Sequence, residues 1–114
     1  MKFILNKKDI ISLNAQFEEY PSLNNEQSLD FALSYAKKTE NWIKALAYLV
    51  RAIALDHVFH EGNKRTAALL VAAYAEYEGH SIYKDKVVKL VKNIIMKRIT
   101  SIKRIEEMIN DAIK

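Results

Sequence analysis

Apolar residues recur along this chain at helical spacing almost from end to end, and the period-two alternation that half-buried strands require is nearly absent. Only two glycines and one proline interrupt 114 residues, half of which are hydrophobic. A chain patterned this way buries its apolar stripes chiefly by packing helix on helix. The length suits a single domain over residues 1–114 with a modest core. The composition argues against a disordered tail.

Six helices are expected. The first spans about residues 7–19, with Ile10, Ile11, Leu13 and Phe17 inward, and ends before Pro21. Residues 20–25 read as a loop. A second helix, about 25–38, is carried by Leu29, Phe31, Ala32, Leu33 and Tyr35. Thr39 is the expected N-cap of a third, which is apolar on most sides and therefore central. The fourth runs from about Asn63 to Glu78, its alanines allowing close packing on the third, with Gly79 as the residue just past its end. Residues 80–83 read as extended. Asp85 is the expected cap of a fifth helix ending near Ile99, and Ser101 of a sixth.

Between the third and fourth helices stands His57-Val-Phe-His-Glu-Gly-Asn-Lys-Arg-Thr66. Within ten residues it places a base, an acid, a glycine, an amide and two cations directly before a helix. A loop that opens a helix aims free N–H groups and the positive dipole end at an anion. Lys64 and Arg65 in that first turn work against the dipole and call for a compensating anion, which a phosphate supplies. Gly62 lets backbone N–H groups approach it. Asn63 suits either capping or phosphate contact through its amide. Glu61 suits Mg²⁺, a hard cation that prefers carboxylate oxygen. His57 is placed to accept a proton. Each residue alone has a structural reading, and Phe59 is read as an anchor to the core. The run is neither a Walker A loop nor the zinc-protease His-Glu-x-x-His; a zinc site of another kind stays open.

The net charge is +4, with Lys84, Lys86, Lys89, Lys92, Lys97, Arg98, Lys103 and Arg104 against Asp85 late in the chain. This stripe reads first as a solvated helix face. It lacks interleaved aromatics and a helix-turn-helix signature, so nucleic acid is not the expected partner. The absence of cysteine excludes disulfides and thiolate metal sites, and an intracellular, cytoplasmic setting is expected. No membrane span and no secretory signal are read.

The run HVFHEGNKRT resembles the signature of the Fic/Doc family, His-x-Phe-x-(Asp/Glu/Asn)-(Gly/Ala)-Asn-(Gly/Lys)-Arg, in the form with lysine before the arginine and threonine after it. That form is similar to the Doc branch, the death-on-curing toxins. The likeness extends to the Ala47–Val50 stretch, the alanine-rich helix and the two closing helices. It implies an all-α, compact six-helix bundle with a short extended flap, and an enzyme that modifies a protein hydroxyl using ATP and Mg²⁺. Doc-like members phosphorylate a threonine of a translation elongation factor, and typical Fic members transfer AMP. By position, His57 would activate the hydroxyl and Glu61 would hold the metal. Gly62 and Asn63 would line the anion hole, with Lys64 and Arg65 gripping the phosphates. Leu23, in the flap, would position the target. AMP-transferring members carry a second arginine where this chain has Ala68, and glycine where it has Lys64. Glu61 is longer than the aspartate of Doc. The family's autoinhibitory pattern (Ser/Thr)-x-x-x-Glu-(Gly/Asn) has no full match, so the resemblance also implies control by a separate antitoxin protein. The kinase reading leads; AMP transfer and a noncatalytic interaction module are the alternatives.

Overall fold

A computed structural model describes Phe3 and residues 5–114. It contains six helices: α1 Lys7–Asn14, α2 Glu26–Lys38, α3 Trp42–Leu55, α4 Asn63–Tyr77, α5 Lys84–Met96 and α6 Ile102–Asp111. The all-α six-helix expectation is met. α3 lies at the centre and packs against α2, α4, α5 and α6, while α1 closes over α4 and the edge of α2. Its position follows from its sequence: Ala45, Leu46, Ala47, Leu49, Val50, Ala52, Ile53 and Ala54 are all buried, on several sides of the helix. Each large aliphatic side chain removed fully from water there contributes about 1.5–3 kcal/mol. Leu70, Val71 and Tyr74 of α4, Ile94 of α5 and Ile105 and Ile109 of α6 complete the core. Phe3 docks at the far end, edge-on to Tyr74 and stacked on Tyr77.

Several helix ends differ from expectation. α1 stops at Asn14, not near Glu19, and Pro21 is not its terminator. Beyond Asn14 the chain turns through i→i−3 bonds (Gln16 N to Leu13 O, Phe17 N to Asn14 O), which carries Phe17 and Glu18 toward the start of α4. α3 is capped by Asn41, whose side chain accepts from the N–H groups of Ile43 and Lys44; Thr39 instead supports Asn41 N. α5 has no side-chain cap, since Tyr83 holds that position and Asp85 sits inside the first turn. Its end falls at Met96, where Arg98 turns left-handed at φ 48°. The N–H groups of Arg98 and Ile99 then return to the carbonyls of Ile95 and Ile94. Gly79 closes α4 in the same way, as expected.

On α2 the buried stripe is Leu29, Ala32, Leu33 and Ala36. Phe31 and Tyr35 face outward instead, 58% and 37% exposed, in an aromatic row with Tyr48. Ala67 and Ala75 of α4 are buried as expected, whereas Ala68 and Ala72 line an apolar groove with Val87 and Val88 of α5. The extended residues after Gly79 pair with the chain end, Ile82 opposite Ile113. The late cations do not form one stripe: Lys84 lies beside that apolar groove, while Lys86, Lys89 and Arg104 share a second groove with Glu107 and Asp111. No helix among the described residues is long and apolar enough to cross a membrane.

Candidate active site

α3 ends at Leu55, and the chain must then reverse to start α4 eight residues later. His57 makes the turn in a left-handed conformation, φ 50°, which costs a non-glycine residue free energy and persists only where the surroundings enforce it. Those surroundings are the flap. Asn24 Nδ2 donates to His57 O at 3.0 Å and Asn25 Nδ2 to Asp56 O at 3.1 Å. The backbone N–H groups of Asn24 and Asn25 both reach Val58 O, and His60 N–H reaches Ser22 O. Val58 and Phe59 are buried, so Phe59 is the anchor its apolar character suggested.

Asn63 does not cap α4, whose N-cap is Gly62. Its Oδ1 accepts from Phe59 N at 3.0 Å and its Nδ2 donates to Phe59 O at 2.8 Å. The side chain is spent on holding the loop shut. Asn14 does the same from the other side: Nδ2 donates to Glu61 O and to Thr66 Oγ1. Gly62, at φ 79°, is the N-cap of α4 and supplies no side chain. A Cβ there would lie 2.9 Å from Asn14 Nδ2 and 3.3 Å from the Glu18 carboxylate, so the glycine answers both to backbone conformation and to close packing.

The outcome is an uncapped helix start. Among the described residues no protein group accepts from the N–H groups of Gly62, Asn63, Lys64 or Arg65. Lys64 and Arg65 are exposed there and form no ion pair among the described residues. Arg65 lies over the Phe17 ring, 5.7 Å from its centroid. A cleft of ≈ 520 Å³ opens at this point. It brings together His57, Glu61, Gly62, Asn63, Lys64 and Arg65, all the residues read from the sequence for base, metal and phosphates. Leu23 is not in its wall; it lies in the flap, opposite Phe59.

Four wall residues were given no site role from the sequence: His60 within the motif, and Glu18, Ala54 and Ile95 outside it. Ala54 lies three residues before His57 and was legible only as core. Glu18 and Ile95 arrive from distant segments, and no local pattern marks them. Among the described residues, no three His, Asp or Glu side chains converge in a metal-binding arrangement, so His57, His60 and Glu61 do not make a zinc centre. Glu61, an exposed carboxylate in the same wall as Glu18, fits Mg²⁺, which takes one or two protein carboxylates and completes its shell with water and phosphate oxygen.

Comparison with known proteins gives a match over residues 5–75 to the model of the Fic/DOC family. No curated protein matches, and no solved structure does.

Proposed function

This chain belongs to the Fic/DOC family, and from that footing we propose that it is a Doc-like protein kinase that moves the γ-phosphate of ATP to a Ser/Thr hydroxyl of another protein. Members of the family generally transfer nucleotide-derived groups to proteins, using ATP and typically Mg²⁺. The observation that carries the finer reading is the start of α4: N–H groups and two cations without a hydrogen-bond or ion-pair partner among the described residues, and at position 68 an alanine lining an apolar groove. That supplies one compact cradle for a polyphosphate and no second arginine along the helix.

In this reading His57 takes the proton of the incoming hydroxyl. The hydroxyl oxygen bonds to the γ-phosphorus as the bond to the β–γ bridging oxygen breaks, and ADP leaves. Lys64, Arg65 and the N–H groups of α4 neutralise the phosphate oxygens, because phosphoryl transfer depends mainly on positioning and charge compensation. Glu61 would hold Mg²⁺, which when bound neutralises phosphate charge.

The flap supports a role for Leu23 in placing the target. Asn24 N donates to Val58 O and His60 N to Ser22 O, so Leu23 and Phe59 form the non-hydrogen-bonded kind of antiparallel pair. The N–H and C=O of Leu23 therefore face the open edge, where an extended target segment can pair. A translation elongation factor is the target the family likeness suggests, and an antitoxin protein the expected controller.

The test is transfer from labelled ATP to protein in a bacterial or archaeal lysate. Label from the γ position is expected with wild type and none with His57→Ala. Equal labelling by both would refute the reading. Label arriving from the α position instead would establish AMP transfer.

A further inference from the structure

We propose that Asn24 of the flap is a positioning residue that holds the imidazole of His57 in its working orientation. The inference rests on the kinase reading, since it gives the base of that same reaction its support. A histidine base ordinarily has its ring oriented by a hydrogen bond to the nitrogen that does not react. His57 has no such bond: among the described residues no group pairs with its ring nitrogens, and the side chain stands exposed in the cleft wall. The backbone that carries the ring must therefore set its direction.

That backbone is left-handed at φ 50°, a conformation kept only while its neighbours enforce it. Asn24 Nδ2 donates to the His57 carbonyl at 3.0 Å, and among the described residues the Asn24 side chain makes no other hydrogen bond. Its amide orientation follows from chemistry, because a carbonyl only accepts. Holding the flap in place does not account for this bond. Three backbone bonds already dock the flap on the motif loop: Asn24 N and Asn25 N to Val58 O, and His60 N to Ser22 O. Asn25 serves its own surroundings, with Oδ1 capping α2 at Ser28 N and Nδ2 reaching Asp56 O. The Ser28 hydroxyl ties the Asp56 carboxylate as well. Asp56 and Val58, on either side of His57, are thus secured without the Asn24 side chain, and His57 alone depends on it. In the kinase reading Leu23, the preceding residue, offers its edge to the target. One short stretch of chain then places the acceptor and aligns the base that deprotonates it.

The experiment compares the full wild-type chain with Asn24→Ala and with Asn24→Asp, which keeps the size but has no donor. Asn24 is exposed, so both variants are expected to fold. The first readout needs no activity. Ring carbon–proton signals of the three histidines are followed by NMR without nucleotide, those of His57 being identified by their loss in His57→Ala. In both variants the His57 signals should shift and broaden while those of the distant His80 stay in place. The second readout is transfer from γ-labelled ATP to lysate protein. The rate at saturating ATP should fall about tenfold, with half-saturating ATP unchanged within about twofold, since Asn24 does not touch the phosphate-binding start of α4. Unchanged His57 signals would overturn the proposal. So would a fall in rate matched by an equal rise in half-saturating ATP, which would make Asn24 a tie of the whole loop. If wild type transfers no label, the kinase reading fails, while displaced His57 signals leave Asn24 as the support of that ring. If wild type and both variants transfer label at one rate, the kinase reading stands and the positioning role falls.

Discussion

Replacing Asn63 by alanine separates two roles that its motif position allows. In the structure its amide donates to and accepts from the backbone of Phe59, at 2.8 and 3.0 Å. Phe59 is 1% exposed, so water does not easily replace the lost partner. Leaving a buried N–H or C=O unpaired costs about 1–3 kcal/mol, and partial relaxation of the loop brings the pair to about 2–4 kcal/mol. For a chain of this size that lowers Tm by roughly 10–15 °C. The assay is urea unfolding followed by two probes, together with the amide proton exchange of Phe59 in the native state. Asn63→Ala should lower the midpoint at constant m and release the Phe59 amide to exchange. Asn63→Asp, which keeps the acceptor and loses the donor, should fall between. The reasoning fails if Asn63→Ala unfolds within about 0.5 kcal/mol of wild type, the typical range of a neutral surface change. It fails equally if Phe59 stays protected while ATP binding is lost; the amide would then serve the ligand.

The two glycines provide a matched pair. Gly62→Ala adds a Cβ 2.9 Å from Asn14 Nδ2 at φ 79°, and should cost about 2–4 kcal/mol by thermal unfolding as strain and displaced hydrogen bonds combine. Gly79→Ala meets nothing within 4 Å at φ 81°, so only backbone strain remains, about 1–2 kcal/mol. Arg98 holds a left-handed conformation without being glycine, and Arg98→Gly should gain about 0.5–1 kcal/mol in urea unfolding whereas Arg98→Ala should not. Burial lifts the Tyr74 hydroxyl above the ordinary tyrosine value, outweighing the hydrogen bond from the Leu5 backbone. Its folded value exceeds its unfolded one, so its stabilisation is complete below about pH 10 and is lost as pH rises toward the folded value. Tyr74→Phe should therefore flatten the alkaline fall in Tm, at a loss of about 1 kcal/mol near neutral pH.

The helical periodicity of this chain was enough to place six helices and to put α3 at the centre, because a segment apolar on every side has nowhere else to go. The ten-residue motif was enough to name His57, Glu61, Gly62, Asn63, Lys64 and Arg65 of the cleft wall, since base, acid, glycine and cations share one loop. Helix ends were less legible. Asn41 rather than Thr39 caps α3, and α1 stops early, because several residues at each end can satisfy the same N–H and C=O groups and packing chooses among them. Phe31 and Tyr35 show the same limit: apolar type suggested burial, but small Ala32 and Ala36 hold the inward face and leave the rings outside. What only the tertiary structure decided is who meets the motif. Asn14, Glu18 and the flap lie 31 or more positions upstream of their partners in hydrogen bonding or packing around His57, Glu61 and Gly62. The amide of Asn63 is bonded to the backbone of Phe59, which no local pattern announced. Local sequence fixes which groups are chemically able to bind phosphate; chain folding in three dimensions fixes which of them are already occupied.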